Sequence, residues 1–162
     1  MAEYIFRQAM RQEVPGVFEL IMSRVAWMDR VGIRQWNATR YDVCYPPEYY
    51  EMRRQKEELF VLEEAGKIVC VGALFREDKR WSDVKSAYYL HHLASRLDAK
   101  GAGSIFLEKA EQYTKEQGME YLRLDSAVSN RVLEEFYTSR GYVEAGRCVD
   151  GAYKGILRQK KL

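Results

Sequence analysis

The sequence predicts a mixed α/β domain with a largely antiparallel first half and a βαβ crossover in the second, on three observations. Short apolar runs alternate as strands do, longer segments repeat apolar residues at helical spacing, and glycine turns separate the two patterns. The chain has 162 residues, long enough for one domain with a substantial core and too short for two ordinary ones. A single domain over residues 1–162 is expected.

Tyr4 to Ala9 alternates as a short strand. Val14, Val17, Phe18, Ile21, Met22, Val25 and Met28 then recur at helical spacing, with Pro15 near the helix start and Gly32 as its stop. Gly32 to Pro47 reads as an irregular, aromatic-rich connection, followed by a short helix from Glu48 to Lys56. Leu59 to Glu63 and Lys67 to Phe75 form a hairpin around Ala65-Gly66. Arg76 to Ser86 is polar and reads as a loop, and Ala87 to Ala94 as a central strand. Ser104 to Gln117 is a helix closed by Gly118, Tyr121 to Leu124 a strand, and Asn130 to Arg140 a helix. Tyr142 to Gly146 and Tyr153 to Arg158 are closing strands around Asp150-Gly151.

Hydrophobic residues at 47% and charged residues at 31% describe a soluble globular chain rather than a disordered or fibrous one. A formal net charge of +2 is too small to imply a nucleic-acid partner, and the basic run Arg158 to Lys161 reads as a solvated terminus. Cys44, Cys70 and Cys148 are odd in number and lack metal-ligand spacing, so neither a disulfide framework nor a metal site is expected. The N-terminal residues lack a signal peptide's apolar core and no segment reaches membrane-spanning length. A cytoplasmic location and no membrane partner are the expectation, with a homodimer as the default assembly.

The stretch from Ala87 to Tyr142 carries the chemistry. An apolar strand feeds Lys100-Gly101-Ala102-Gly103-Ser104, which opens a helix. N–H groups at the positive end of a helix dipole hold phosphate, the two glycines let it approach the main chain, and Ser104 adds a hydroxyl. A bare G-x-G turn also arises as a plain strand-to-helix connection. The parts in order are Tyr88 to Ala94, Asp98 to Gly103, the helix from Ser104, the strand Tyr121 to Asp125, then Asn130, Phe136-Tyr137 and Gly141-Tyr142. This order and spacing resemble the acetyl-CoA-dependent N-acetyltransferases of the GNAT superfamily. One departure stands out: Asp98 occupies the position where that family places Arg or Gln, with Arg96 and Lys100 flanking it.

The resemblance implies a central twisted mixed sheet of about six to seven strands flanked by about four helices. It implies acetyl-CoA as co-substrate, no metal, and direct transfer of an acetyl group to a primary amine of a small molecule or peptide. The cofactor residues it implies are Lys100, Gly101, Ala102, Gly103 and Ser104, the backbone of Leu93 and Ala94 at a strand bulge, Asn130, and Tyr137. Tyr137 fills the position of the acid that protonates the departing thiolate; an ordinary phenol pKa of about 10 keeps it protonated. Alternatively, Tyr137 and Phe136 only pack a helix onto the sheet. His91 and His92 adjoin on one strand, so they should point to opposite faces, and at most one faces the acceptor. His92 is the candidate base, against the alternative of a hydrogen-bonded structural histidine, with Glu63 and Glu64 as further candidates. Trp27, Trp36 and Tyr45 are the expected acceptor walls, with Tyr41 and Arg34 nearby. The rival function is a non-catalytic acyl-CoA-binding or sensing module of the same fold, which Asp98 would favour. A nucleotide-binding class is disfavoured because neither a P-loop nor a G-x-G-x-x-G pattern stands at the turn.

Overall fold

The computed structural model describes residues 3–162. Its strands are β1 (Tyr4–Gln8), β2 (Leu59–Glu64), β3 (Lys67–Phe75), β4 (Ala87–Ser95), β5 (Tyr121–Ala127), β6 (Val143–Asp150) and β7 (Tyr153–Lys161). Its helices are α1 (Val14–Val31), α2 (Tyr41–Cys44), α3 (Pro47–Gln55), α4 (Ala102–Glu116) and α5 (Arg131–Thr138). The seven strands form one sheet in the order β1-β2-β3-β4-β5-β7-β6. Every pairing is antiparallel except β4 with β5. Parallel neighbours need a crossover, and α4 provides it.

The mixed α/β expectation and the strand count hold, and there are five helices rather than about four. The added one, α2, is a single turn inside the aromatic connection expected to be irregular. α4 starts at Ala102 rather than Ser104 because Gly101, at φ +82°, makes the left-handed turn that lets Ala102 and Gly103 join the first turn. β5 and β7 run longer than their apolar cores suggest because each supplies the other's hydrogen bonds, from Tyr121↔Lys161 to Ala127↔Gly155.

The sheet is covered on both faces. Phe106, Leu107 and Ala110 of α4 pack on Phe60, Leu62, Leu74, Leu90 and Leu122, and Tyr137 of α5 joins the same core. Each such buried Leu or Phe contributes about 1.5–3 kcal/mol. α4 sits so close that a Cβ on Gly72 of β3 would lie 2.7 Å from the Phe106 ring. On the other face Val17 and Ile21 of α1 and Tyr50 of α3 pack on Leu59, Val61, Val71 and Ala94. Among the described residues no helix is long and apolar enough to cross a membrane.

Candidate active site

Two irregularities in β4 create the site. Its parallel pairing with β5 covers only Ala87–Tyr89 against Tyr121–Arg123, after which β5 follows β7 and the two strands part. On its other edge, β4 carries a bulge: Val71 pairs Ala94 and Ala73 pairs His91, so Gly72 alone stands opposite His92 and Leu93. His92 takes a positive φ of 57°, a conformation a histidine adopts at a cost unless its surroundings hold it.

The bulge overturns the expectation that the two histidines face opposite ways. The extra residue breaks the alternation, so Leu90 and Leu93 pack in the α4-side core while the rings of His91 and His92 lie together, 6.0 Å apart, and all four residues border the cleft. His92 is buried inside a box of Tyr41, Tyr45, Tyr49 and Tyr50, with ring centroids 4.8–5.5 Å away. Its Nδ1 meets the Tyr41 hydroxyl and its Nε2 the Tyr49 hydroxyl at 2.9 Å. Neither ring nitrogen is left for an acceptor amine. Burial drives the imidazole well below 6.5, with the charges of His91, Arg53 and Arg80 adding to the effect, so the ring is neutral. The same burial raises Tyr49 to about 12.

His91 is placed differently. Its Nε2 lies 2.7 Å from Asp78 Oδ2, and its ring stacks on Phe75 at 4.4 Å. Burial alone would raise Asp78, but the hydrogen bond and charge of His91, the Arg80 N–H and the Arg80 guanidinium outweigh it and hold the carboxylate low. An ionised Asp78 accepts from Nε2–H, which leaves the lone pair on Nδ1. Beside this dyad Arg80 bridges Asp125 at 3.2 Å and Asp150 at 3.1 Å, and Tyr153 donates to Asp125 at 2.5 Å. Asp78, His91 and Asp125 bring ligand-type atoms within 4.8 Å of one another. Each of these carboxylates already has a protein donor.

Tyr137 is 5% exposed and lines the cleft, with its ring edge-on to Phe136 and Tyr142. Burial pushes its phenol up from 10, so it holds its proton firmly. Asn130 caps α5 through Leu133 N–H at 3.1 Å, as its position suggests, and its amide donates to Gln35 Oε1 at 2.8 Å. At the other end of the site, Cβ atoms on Gly101 or Gly103 would meet no protein atom within 4 Å. The first turn of α4 therefore presents bare backbone to open space, which fits a diphosphate. Asp98 turns away: it is 72% exposed at its side chain and is held by Arg96 at 3.0 and 3.1 Å, which keeps its carboxyl low. Arg140, just past α5, reaches instead to the Ser104 hydroxyl and lies 3.9 Å over the Phe136 ring.

The cleft has a volume of about 480 Å³. Of the expected acceptor walls, Trp36 and Tyr45 line it, and Trp36 stacks on Tyr41 at 4.7 Å. Trp27 does not. The buried stripe of α1 runs through Val17, Ile21 and Met28, and Trp27 lies about 100° round the helix from Met28, under the guanidinium of Arg24. Leu93 lines the cleft and Ala94 is buried against α1. Glu63 lies in β2 paired with Arg7 of β1, an edge of the sheet away from the cleft, so it supplies no base. The residues that sequence reasoning passed over are Asp78, Arg80, Asp125 and Tyr153, along with Gln35 and Arg140. The polar run of 76–86 was legible only as a loop; Arg123, buried against Trp81 and bonded to Asp83 at 2.8 Å, is what fixes that loop to the sheet.

Solved structures share this architecture. A GNAT-family acetyltransferase from Listeria monocytogenes is 22% identical, with 98% of this chain and 95% of that one covered and a TM-score of 0.81. One from Streptococcus agalactiae is 19% identical over 98% and 95% of the two chains, with a TM-score of 0.80. The PaiA N-acetyltransferase of Thermoplasma acidophilum, solved in complex with coenzyme A, is 17% identical over 99% of both chains, with a TM-score of 0.75. No curated protein matches the chain. The wedge between β4 and β5, the bulge and the glycine turn meet a family model that matches residues 27–142, and the chain belongs to the acetyltransferase (GNAT) family.

Proposed function

We propose that this protein transfers an acetyl group from acetyl-CoA to a primary amine by direct attack, with Tyr137 as the acid and His91, oriented by Asp78, as the base. The observation that carries the reading is a single cleft lined by both Tyr137 and His91, with Asp78 bonded to His91 behind the wall, at the point where β4 leaves β5. Acetyl-CoA would supply the activated acyl group. The backbone of Gly101 to Ser104, with Arg140 beside it, holds the diphosphate, and α5 links that end to the cleft through Tyr137 and Asn130. His92 and Leu93 have no register partner on β3, so bulge N–H groups are available for the oxygen that gains charge in the transition state.

An amine must lose a proton to attack. His91 Nδ1 takes it, and the ionised Asp78 stabilises the imidazolium that results. The buried Tyr137 hydroxyl protonates the departing sulfur. His92 acts as a positioning residue: Tyr41 and Tyr49 clamp its ring and so hold the bulge that its φ would otherwise relax. No cysteine stands in β4 or the glycine turn, which supports direct transfer over a covalent acyl-enzyme. The sensing-module alternative drew on Asp98, and the pairing of that carboxylate with Arg96 removes its motive. Incubating the protein with acetyl-CoA and a panel of amines while following free thiol tests the reading. Amine-dependent release supports it, and binding of acetyl-CoA with no release for any amine overturns it in favour of a sensing module.

A further inference from the structure

We infer that the acceptor amine carries a distal anionic group, a carboxylate or a phosphate, held by Arg34 and Lys154 in an annex of the acceptor cleft. The inference rests on the acetyl-transfer reading above. The annex has a volume of about 320 Å³ and shares Gln35, Ala38, Thr39, Ala152 and Tyr153 with the main cleft. The two spaces therefore adjoin. Among the described residues its charged lining consists of Arg34 and Lys154.

The charges of the two chambers are balanced differently. The main cleft is lined by two acids, Asp125 and Asp150, which share Arg80, and by a further cation, Arg40. The annex is lined by no acid, and neither Arg34 nor Lys154 pairs with an acid elsewhere among the described residues. Two unmatched cations facing one concave space raise its potential and attract an anion. Gln35 adds directionality. It is 9% exposed and lines both chambers, its Oε1 accepts from Asn130, and among the described residues no protein acceptor meets its Nε2 hydrogens. An amide with unmet donors beside two cations suits an oxyanion, which accepts from all three. The acceptor that fits has its amine at His91 and its anion at Arg34 and Lys154.

The test uses matched acceptors that differ only at the distal end: short aminoalkyl carboxylates, their carboxamides, and the corresponding aminoalkyl phosphates. kcat/KM is measured from acetyl-CoA-dependent thiol release. Wild type should prefer an anionic acceptor over its carboxamide by about tenfold or more, and the carboxylate and phosphate arms tell which anion it takes. The preference should shrink at high ionic strength. In the double variant Arg34→Glu, Lys154→Glu, both at exposed positions, the preference should invert, and Arg34→Lys should retain it in part. Equal use of the anionic and neutral acceptors by wild type, or an unchanged preference in the charge-reversed variant, overturns the anionic subsite while the acetyl-transfer reading stands. No thiol release in any arm overturns both.

Discussion

Tyr137 and His91 divide the proton movements of the proposed reaction, and each is prepared by its surroundings rather than by residue type alone. Burial that raises the Tyr137 phenol keeps its proton on, and the transfer relies on the same buried surroundings raising the basicity of the departing thiolate beside it. Tyr137→Phe should lower kcat by about 10²- to 10⁴-fold with the Kd for CoA little changed; kcat within about threefold of wild type, against that expected loss, shows the ring to be packing alone. His91→Asn should lower kcat comparably and Asp78→Asn less, both measured at saturating acetyl-CoA. Arg140→Ala should weaken CoA binding by about tenfold in a calorimetric titration, since the charge-assisted contact to phosphate proposed for it would be lost. Asp98→Gln should leave the Kd nearly as it was, because the Asp98 carboxylate already points to solvent at Arg96. Tyr137 and Asn130 were legible in the sequence because their order and spacing are local. Arg140 meets Ser104 across 36 residues and His91 meets Asp78 across 13, and no spacing rule joins such pairs.

The bulge of β4 is the element on which the site depends, and His92 is its fastener. Alternation predicts side-chain direction only while the ladder is regular, so a bulge of one residue was enough to turn both histidines to one side. The neutral state of His92 has a thermodynamic signature. Its folded pKa lies below the unfolded value near 6.5, so the unfolded chain binds a proton that the fold refuses. Stability from this residue is therefore full above about pH 6.5 and falls as the pH drops below it, by at most about 1.4 kcal/mol per unit. Denaturant midpoints compared at pH 7 and pH 5 should fall more steeply for wild type than for His92→Asn, which keeps a residue tolerant of positive φ. Equal slopes would mean that His92 charges freely in the fold. At the glycine turn, Gly103→Val is the cleaner probe than Gly101→Val. A side chain at 103 projects into open space without the backbone strain that φ +82° imposes at 101, so it should raise the Kd for CoA and leave the unfolding temperature close to wild type.

Across the whole molecule, the fold was readable wherever pattern and partner agree. The β2–β3 hairpin, the βαβ unit around α4 and the ends of α1 follow from alternation, helical spacing, Pro15 and Gly32. The strand order and the wedge between β4 and β5 were not readable from the sequence, because they depend on which edges pair over long separations; the family resemblance supplied only a mixed sheet of about six to seven strands with a bulge in its central strand. The acceptor chamber was the least legible part. Its walls come from the aromatic connection after α1, whose Trp36 and Tyr45 were expected there, and from the 76–86 loop and the β6–β7 turn, two segments that read only as loop and turn until Arg123 and Arg80 tie them down. All these parts converge on one claim, that acyl transfer occurs where Tyr137 and His91 share a cleft. The most direct measurement is amine-dependent thiol release from acetyl-CoA by wild type and Tyr137→Phe, paired with the CoA affinity of each. Release that depends on amine and falls at least about 10²-fold in the variant at matched affinity is the expected result. Equal release by both proteins, or binding of acetyl-CoA with no amine-dependent release at all, would contradict it.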